Sequence, residues 1–265
     1  MMTIARASKA QIKHYSTLTQ KKYRQQERKF LVEGARLVEE ALAAKYPLAS
    51  ILVTGSFLEK PDHAGFIRQI EASNFPFMQI SESDLAKISD TVTSQGIVAV
   101  AGEVHTDEKA FWKSLPASYT LVALDSISDP GNLGTILRTC DWFGVNGVFL
   151  SNDTVELYNP KVVRSTMGAI FHLPVFSDVE LKKLIDTAKS QGVSVIATTL
   201  GGGADAFKHS FNKKSLLIFG SEAHGLSPDI LSGTDVRLTI PRFGKGESLN
   251  VAAACAALLA LKNNK

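Results

Sequence analysis

Hydrophobic and polar positions along the chain fall into two stretches of mixed helix and strand periodicity, separated by a polar segment. In the first stretch, "FLVEGARLVEEALAAKY" (30–46) places Leu31, Ala35, Val38 and Leu42 at helical spacing. "LASILVTGSF" is then predicted as a strand entering a turn. "GFIRQIEAS", "PFMQIS", "ESDLAKISD" and "GIVAVAG" continue the alternation to Gly102, which predicts a small α/β domain over 30–102. "EVHTDEKAFWKSLPAS" (103–118) is polar and carries a proline, and is predicted as the linker.

From Tyr119 onwards strands and helices alternate regularly. "YTLVAL" and "GVNGVFLS" are predicted strands. "NPKVVRSTMGAIFHLPVF" is a predicted helix leading into a short strand, with Asn159 as N-cap and Pro160 at the first helical position. "VELKKLIDTAKSQG" is an amphipathic helix closed by Gly192, and "VSVIATTL", "SLLIFG" and "VRLTIP" are further strands before an alanine-rich C-terminal helix. Strands separated by helices predict an α/β fold with a mostly parallel sheet covered on both faces over 119–265, preceded by a smaller α/β domain. No internal repeat is visible.

The 265 residues, 45% of them hydrophobic, suffice for one large domain or two ordinary ones. Residues 1–13 lack the apolar core of a signal peptide. The longest apolar run, "VAAACAALLAL" (251–261), is too short to cross a bilayer and suits a helix buried in protein. Cys140 and Cys255 stand in apolar helical contexts without metal-ligand spacing; they are expected to be core residues in a reducing cytoplasm, and no metal is expected. The net charge of +3 conceals an asymmetry. Residues 1–30 hold eight Lys/Arg against one acid, Glu27, while the remainder is net acidic by four charges. A basic head over residues 1–29 suits either a polyanionic partner or a solubilising terminus.

Four predicted strands of the second half run into glycine-bearing polar turns: "DSISDPGNLG", "GGGADAF", "SEAHG" and "RFGKGESLN". In an open parallel sheet, ligands bind beyond the carboxyl ends of the strands, and glycines there allow close backbone approach. A dinucleotide loop needs G-x-G-x-x-G and a later acid. Only Gly131 and Gly134 are present, although Asp153 lies 19 residues after Gly134. No G-x-x-x-x-G-K-[ST] phosphate loop occurs.

Three blocks carry a more specific signal. "DPGNLGTILRTCDWFG", "LIFGSEAHGLS" and "IPRFGKGESLNVAAACAALLAL" resemble, in order and separation, the three motifs of the SpoU/TrmH family of RNA 2′-O-ribose methyltransferases in the SPOUT superfamily. The matching positions are Asn132, Gly134 and Arg138, then Gly220, Glu222 and Gly225, then Ser248, Leu249 and Asn250. The likeness covers 119–262, and 30–102 is similar to the substrate-binding domain that precedes the catalytic domain in many members. It implies S-adenosylmethionine as methyl donor, a deep C-terminal trefoil knot and a homodimer. The implied cofactor contacts are Thr199, Leu200, Gly201, Gly220, Ile240, Ser248 and Leu249. One position departs from the family: Leu261, followed by Lys262, stands where a glutamate is common.

For the chemistry, the resemblance makes Arg138 central, with Asn132, Glu222, Ser248 and Asn250 around it. From sequence alone Arg138 reads rather as a surface helix arginine pairing with Asp141, and it is the motif that reverses this reading. A guanidinium is hardly ever neutral in proteins, so stabilising the developing alkoxide suits Arg138 better than acting as a base. Asn132 is a candidate cap for the helix carrying Arg138, Ser248 a candidate cap for the last helix, and Glu222 a candidate buried acid positioning Arg138 or Asn250. Lys161, Arg164, Arg242 and Lys245 are candidate RNA phosphate contacts. Ribosomal RNA, presented as an unstacked loop nucleotide, is the expected substrate. A transfer-RNA methyltransferase, a non-catalytic RNA-binding protein of the same fold and a dinucleotide oxidoreductase are the alternatives.

Overall fold

The structure is a computed structural model describing residues 4–91 and 93–264. The chain runs β1 (Ala5–Arg6), α1 (Lys9–Thr17), α2 (Lys21–Glu27), β2 (Lys29–Glu33), α3 (Ala35–Ala43), β3 (Leu48–Thr54), α4 (Gly55–Leu58), α5 (Ala64–Ala72), β4 (Phe77–Ile80), α6 (Glu82–Ile88) and β5 (Ile97–Gly102). It continues through α7 (Glu108–Ser114), β6 (Tyr119–Leu124), α8 (Pro130–Trp142), β7 (Gly147–Ser151), α9 (Pro160–Thr166), β8 (Val175–Val179), α10 (Leu181–Ser190) and β9 (Ser194–Thr198). β10 (Ala204–Asp205), β11 (Lys214–Phe219), α11 (Pro228–Ser232), β12 (Val236–Thr239) and α12 (Val251–Asn263) complete it. Two compact units result: residues 1–105 with 158–171, and residues 106–157 with 172–265.

The first unit is built on a mixed five-stranded sheet, ordered β1-β4-β3-β5-β2. The segment 30–46, with its helical spacing, divides into β2 and α3. Phe30, Leu31 and Val32 are all buried and pair antiparallel with β5, and Gly34 at φ 103° breaks the chain before the helix. A continuous apolar run buried on both faces favours strand over helix, and the left-handed glycine ends it. The basic head forms β1, α1 and α2 within this unit. Its Arg24 is 2% exposed and donates to the carbonyls of Leu18 and Thr19, so that guanidinium is structural. Leu52, Leu85, Ile88, Val98 and Val100 form the core.

α9 also belongs to the first unit. Asn159 caps it through the Lys161 N–H, with Pro160 at its start. Its Arg164 donates to Asp90 Oδ2 at 3.0 Å and lies 3.8 Å from the nearly buried Glu33, whose carboxylate also accepts from Ser89 and Thr91. In the same unit Tyr158 stacks on Phe30, which meets Tyr46 edge-on, and Tyr46 meets Phe171 edge-on.

In the second unit every strand pair is parallel, in the order β10-β12-β9-β11-β6-β7-β8. β6 and β7 are buried at every position, as a sheet covered on both faces requires. Leu121, Phe149, Val195, Leu216 and Ile218 centre its core. Residues 108–114, inside the polar stretch read as linker, form α7. Its Phe111 is buried against Phe149 and Phe176. α12 packs on α8, where the Cys140 and Cys255 thiols meet, and burial pushes the Cys140 thiol well above its ordinary pKa.

The C-terminal segment makes an unusual return. β12 is separated from β6 by β9 and β11, yet Asn250 bonds Asn132, and α12 packs on α8, the helix that follows β6. Residues 240–250 therefore run back across the carboxyl ends of β9 and β11. This is the crossing that the expected trefoil knot requires; such topologies are rare in proteins. No helix among the described residues is long and apolar enough to cross a membrane.

Candidate active site

Registry places four strand ends side by side. Leu124 of β6 pairs Phe219 of β11, Ile218 pairs Ala197 of β9, and Thr198 pairs Leu238 of β12. The turns that follow, starting at Asp125, Gly220, Thr199 and Ile240, leave one edge of the sheet together. Hydrogen bonds tie them: Asp125 N–H to the Phe219 carbonyl at 2.8 Å, and Thr199 N–H to the Leu238 carbonyl at 2.8 Å. Thr239 Oγ1 lies 3.1 Å from Thr199 Oγ1 and accepts from the Gly203 N–H at 3.1 Å. Thr239 was not singled out by sequence; its one signal is a threonine ending a strand beside a glycine run.

Glycine is required at two of these turns. A Cβ on Gly220 would stand 2.3 Å from the Gly225 carbonyl carbon and 2.6 Å from the Leu226 nitrogen, all backbone. A Cβ on Gly203 would stand 2.8 Å from the Arg237 carbonyl oxygen. The 220–226 turn is further closed by a bridge between Ser221 and Gly225.

At the rim, the three sequence blocks meet through side chains. Asn132 Nδ2 donates to Glu222 Oε1 at 2.9 Å, and Asn250 Nδ2 donates to the same oxygen at 2.9 Å. Asn250 Nδ2 also donates to Asn132 Oδ1 at 3.0 Å, and the Val251 N–H approaches Glu222 Oε1 at 3.5 Å. One carboxylate oxygen thus gathers the first turn of α8, the turn after β11 and the start of α12. Residues separated by up to 118 positions form a single polar trio.

Several local expectations change. The N-cap of α8 is Asp129, whose Oδ1 accepts from the Asn132 N–H at 2.8 Å, so the Asn132 side chain is released for the trio. The N-cap of α12 is Asn250, accepting from Ala252 and Ala253, because the helix starts at Val251, three residues after Ser248. Ser248 is exposed and makes no hydrogen bond among the described residues. Glu222 is exposed rather than buried, sits in a bridged turn rather than a helical one, and bonds Asn132 and Asn250 but not Arg138. Arg138 lies six residues beyond Asn132 on α8, about 9 Å along the axis and about 120° around it. It faces solvent, with no ion pair to Asp141 among the described residues.

The remaining candidates divide. Lys161 and Arg164 lie on α9 of the first unit, and Arg164 is engaged by Asp90 and Glu33. Arg242 and Lys245 lie on the exposed 240–250 segment, where Arg242 Nη1 donates to the Gly246 carbonyl at 3.1 Å. No group of three or more His, Cys, Asp and Glu among the described residues is arranged to hold a metal ion.

S-adenosylmethionine suits this edge on the structure's own terms. Thr199, Leu200, Gly201, Gly220, Ile240, Ser248 and Leu249 lie on the turns at the β9, β11 and β12 ends. A Cβ on Gly201 would meet nothing within 4 Å, and the side chains of Leu200 and Leu249 are exposed apolar groups. Open backbone and unburied aliphatic surface provide the close approach and apolar cover that an adenosine needs.

The parallel sheet, the returning C-terminal segment and the glycine-lined strand ends agree with the SPOUT fold that the sequence resemblance implies. Comparison with known proteins gives the family. Residues 119–260 match the SpoU rRNA Methylase family, and residues 9–99 match the MRM3-like substrate binding domain. The chain belongs to the SpoU family and is an S-adenosylmethionine-dependent RNA 2′-O-ribose methyltransferase. It is 34% identical over 98% of both chains to the 23S rRNA (guanosine(2553)-2′-O)-methyltransferase RlmP of Bacillus subtilis. A solved AdoMet-bound rRNA methyltransferase from Sinorhizobium meliloti superposes with TM-score 0.84 at 28% identity, covering 98% of this chain and 97% of that one. A solved RNA 2′-O ribose methyltransferase superposes with TM-score 0.81 at 28% identity, covering 99% and 98%.

Proposed function

We propose that the chain methylates the ribose 2′-hydroxyl of one nucleotide of large-subunit ribosomal RNA, in the cytoplasm and as a homodimer. The observation that carries the chemistry is the Asn132–Glu222–Asn250 trio beside the glycine-lined strand ends. The ribosomal substrate is supported by the B. subtilis relative, similar along nearly the whole of both chains.

S-adenosylmethionine supplies an electrophilic methyl group on a cationic sulfur. In this reading Asn132 and Asn250 are held by the Glu222 carboxylate and orient the target ribose. An in-line attack needs the nucleophilic oxygen fixed within a narrow range, and three charge-assisted or amide hydrogen bonds supply that order. The oxygen–methyl bond forms as the methyl–sulfur bond breaks, the sulfur becoming neutral. The hydroxyl proton passes to solvent water, while exposed Arg138, a permanent cation that does not accept it, stabilises the developing alkoxide. Arg242 and Lys245 contact phosphates. Arg164 is a poorer phosphate ligand, because Asp90 and Glu33 already neutralise it.

The homodimer is supported by α12, whose Ala253, Ala256, Ala257, Ala260 and Leu261 are not fully covered by their own chain, and by Trp142, 84% exposed at the end of α8. The cytoplasm is supported by the adjacent free thiols of Cys140 and Cys255. The test maps 2′-O-methyl marks in ribosomal RNA from cells with and without the gene, by protection from alkaline cleavage. Loss of one mark in the large-subunit RNA is expected; an unchanged ribosomal map contradicts the proposal, and a mark lost from transfer RNA redirects it.

A further inference from the structure

The 240–250 segment carries a feature that the methyl-transfer site leaves unused. Phe243 is 90% exposed, and its ring lies 6.4 Å from that of Phe207, itself 53% exposed, at an interplanar angle of 41°. Single exposed apolar residues are ordinary, but a pair of exposed aromatic rings meeting across two turns is not.

Both rings are presented by closed turns. Asp205 Oδ1 accepts from the Phe207 N–H at 2.9 Å, and Arg242 Nη1 donates to the Gly246 carbonyl at 3.1 Å, drawing a loop around Phe243. Phe207 stands beside the Phe243 ring at a tilt, and the Phe243 faces remain open to solvent. Arg242 and Lys245 flank that ring in sequence, and both are exposed. The loop starts at Ile240, on the cofactor edge, and ends at Asn250 in the polar trio. Phe243 therefore stands on the segment that links the cofactor edge to the polar trio, on the side of β10 and β12.

We infer that Phe243, with Phe207 beside it, is a stacking platform for an unpaired base of the substrate RNA, in the strand that carries the nucleotide whose ribose is methylated. The inference rests on the RNA methyltransferase reading and adds a specificity residue to it. An aromatic face with basic flanks is the chemistry that holds single-stranded nucleic acid: the π-face takes a base and the cations take the backbone. A ribose within a duplex is poorly presented, so a contact that rewards an unstacked base selects loops over helices.

The test titrates a labelled single-stranded RNA dodecamer, and a duplex of the same sequence, into the wild-type protein, Phe243→Ala and Phe243→Trp. Base–aromatic stacking predicts that Phe243→Ala weakens single-strand binding by roughly 5- to 150-fold. Duplex binding stays within about twofold, and Phe243→Trp restores the single-strand affinity. Unchanged single-strand affinity in Phe243→Ala, an equal loss on both probes, or a wild-type protein without single-strand preference overturns the platform. So does conversion of a dimer to monomers in sedimentation velocity, which would make the ring a subunit contact. Labelling of ribosomal RNA by the wild-type protein, measured in parallel, separates the two readings. Labelling with unaffected Phe243→Ala binding removes the platform alone; absent labelling removes the methyltransferase reading as well.

Discussion

Gly220→Ala is the substitution whose consequence follows most directly from geometry. The added methyl would meet the Gly225 carbonyl carbon at 2.3 Å, its oxygen at 2.4 Å and the Leu226 nitrogen at 2.6 Å, where ordinary contact begins near 3.4 Å. All three obstacles are backbone, so no side chain can rotate away, and the 220–226 turn must move by about 1 Å. That turn carries Glu222, the carboxylate shared by Asn132 and Asn250. Overpacking of this kind costs about 1–3 kcal/mol, which lowers the melting temperature by roughly 2–10 °C for a chain of this size. Turnover falls further, because a displacement near 1 Å in a positioned site costs about 100-fold. Gly201→Ala is the matched contrast: its methyl meets nothing within 4 Å, so the melting temperature holds while any cofactor sitting there is obstructed. Calorimetric titration with S-adenosylmethionine and a thermal melt followed by circular dichroism measure both variants. Gly220→Ala with wild-type cofactor affinity and turnover would refute the claim that this backbone approach shapes the site.

Three further outcomes follow from the same structure. Arg138→Ala is expected to lower the methylation rate by about 10²- to 10³-fold, with S-adenosylmethionine affinity within twofold of wild type; a full rate excludes an electrostatic role for Arg138. Glu222→Gln keeps an acceptor but loses the charge that strengthens its bonds to Asn132 and Asn250. A decrease of roughly 5- to 10-fold in kcat is expected, with the melting temperature unchanged, and an unaffected kcat contradicts the positioning role. In the first unit, burial raises the pKa values of Tyr46 and Tyr158, whose hydroxyls bond each other and the Val104 backbone. The unfolded chain therefore loses these protons first, near pH 10, and the stability they confer is complete below that pH and declines above it. Tyr158→Phe should flatten the alkaline decline in urea melts between pH 8 and pH 11, and an equally steep decline contradicts this coupling.

Much of the fold was legible because its signals are local. β6, β11 and α10 announce themselves through uninterrupted apolar runs or helical spacing, and Asn159–Pro160 marks the start of α9 in two residues. Segment 30–46 was misread because Phe30, Leu31 and Val32 satisfy a helical period as well as a buried strand; pairing with β5, a partner nearly 70 residues away, decides between them. α7 hid inside a polar stretch because only two adjacent rings anchor it, Phe111 buried and Trp112 stacked on Phe149. The site was legible as motifs but not as geometry. Nothing local states that Asn132 and Asn250, 118 positions apart, share one carboxylate oxygen, since that contact depends on the return of the C-terminal segment. The caps shifted from Asn132 to Asp129 and from Ser248 to Asn250 because helix starts are set by where the preceding turn ends. Phe207 and Phe243 were missed although "RFGKG" places a ring between two cations, since their mutual contact joins separate turns.

The central claim is that the methyl group goes to a ribose oxygen of ribosomal RNA. It is tested most directly by incubating the purified protein and methyl-labelled S-adenosylmethionine with large-subunit RNA assembled to carry either ribose or 2′-deoxyribose at the mapped nucleotide. Labelling of the ribose form, recovered as a 2′-O-methylnucleoside and absent from the deoxy form, is the predicted result. Equal labelling of the two forms would place the methyl group elsewhere and contradict the account.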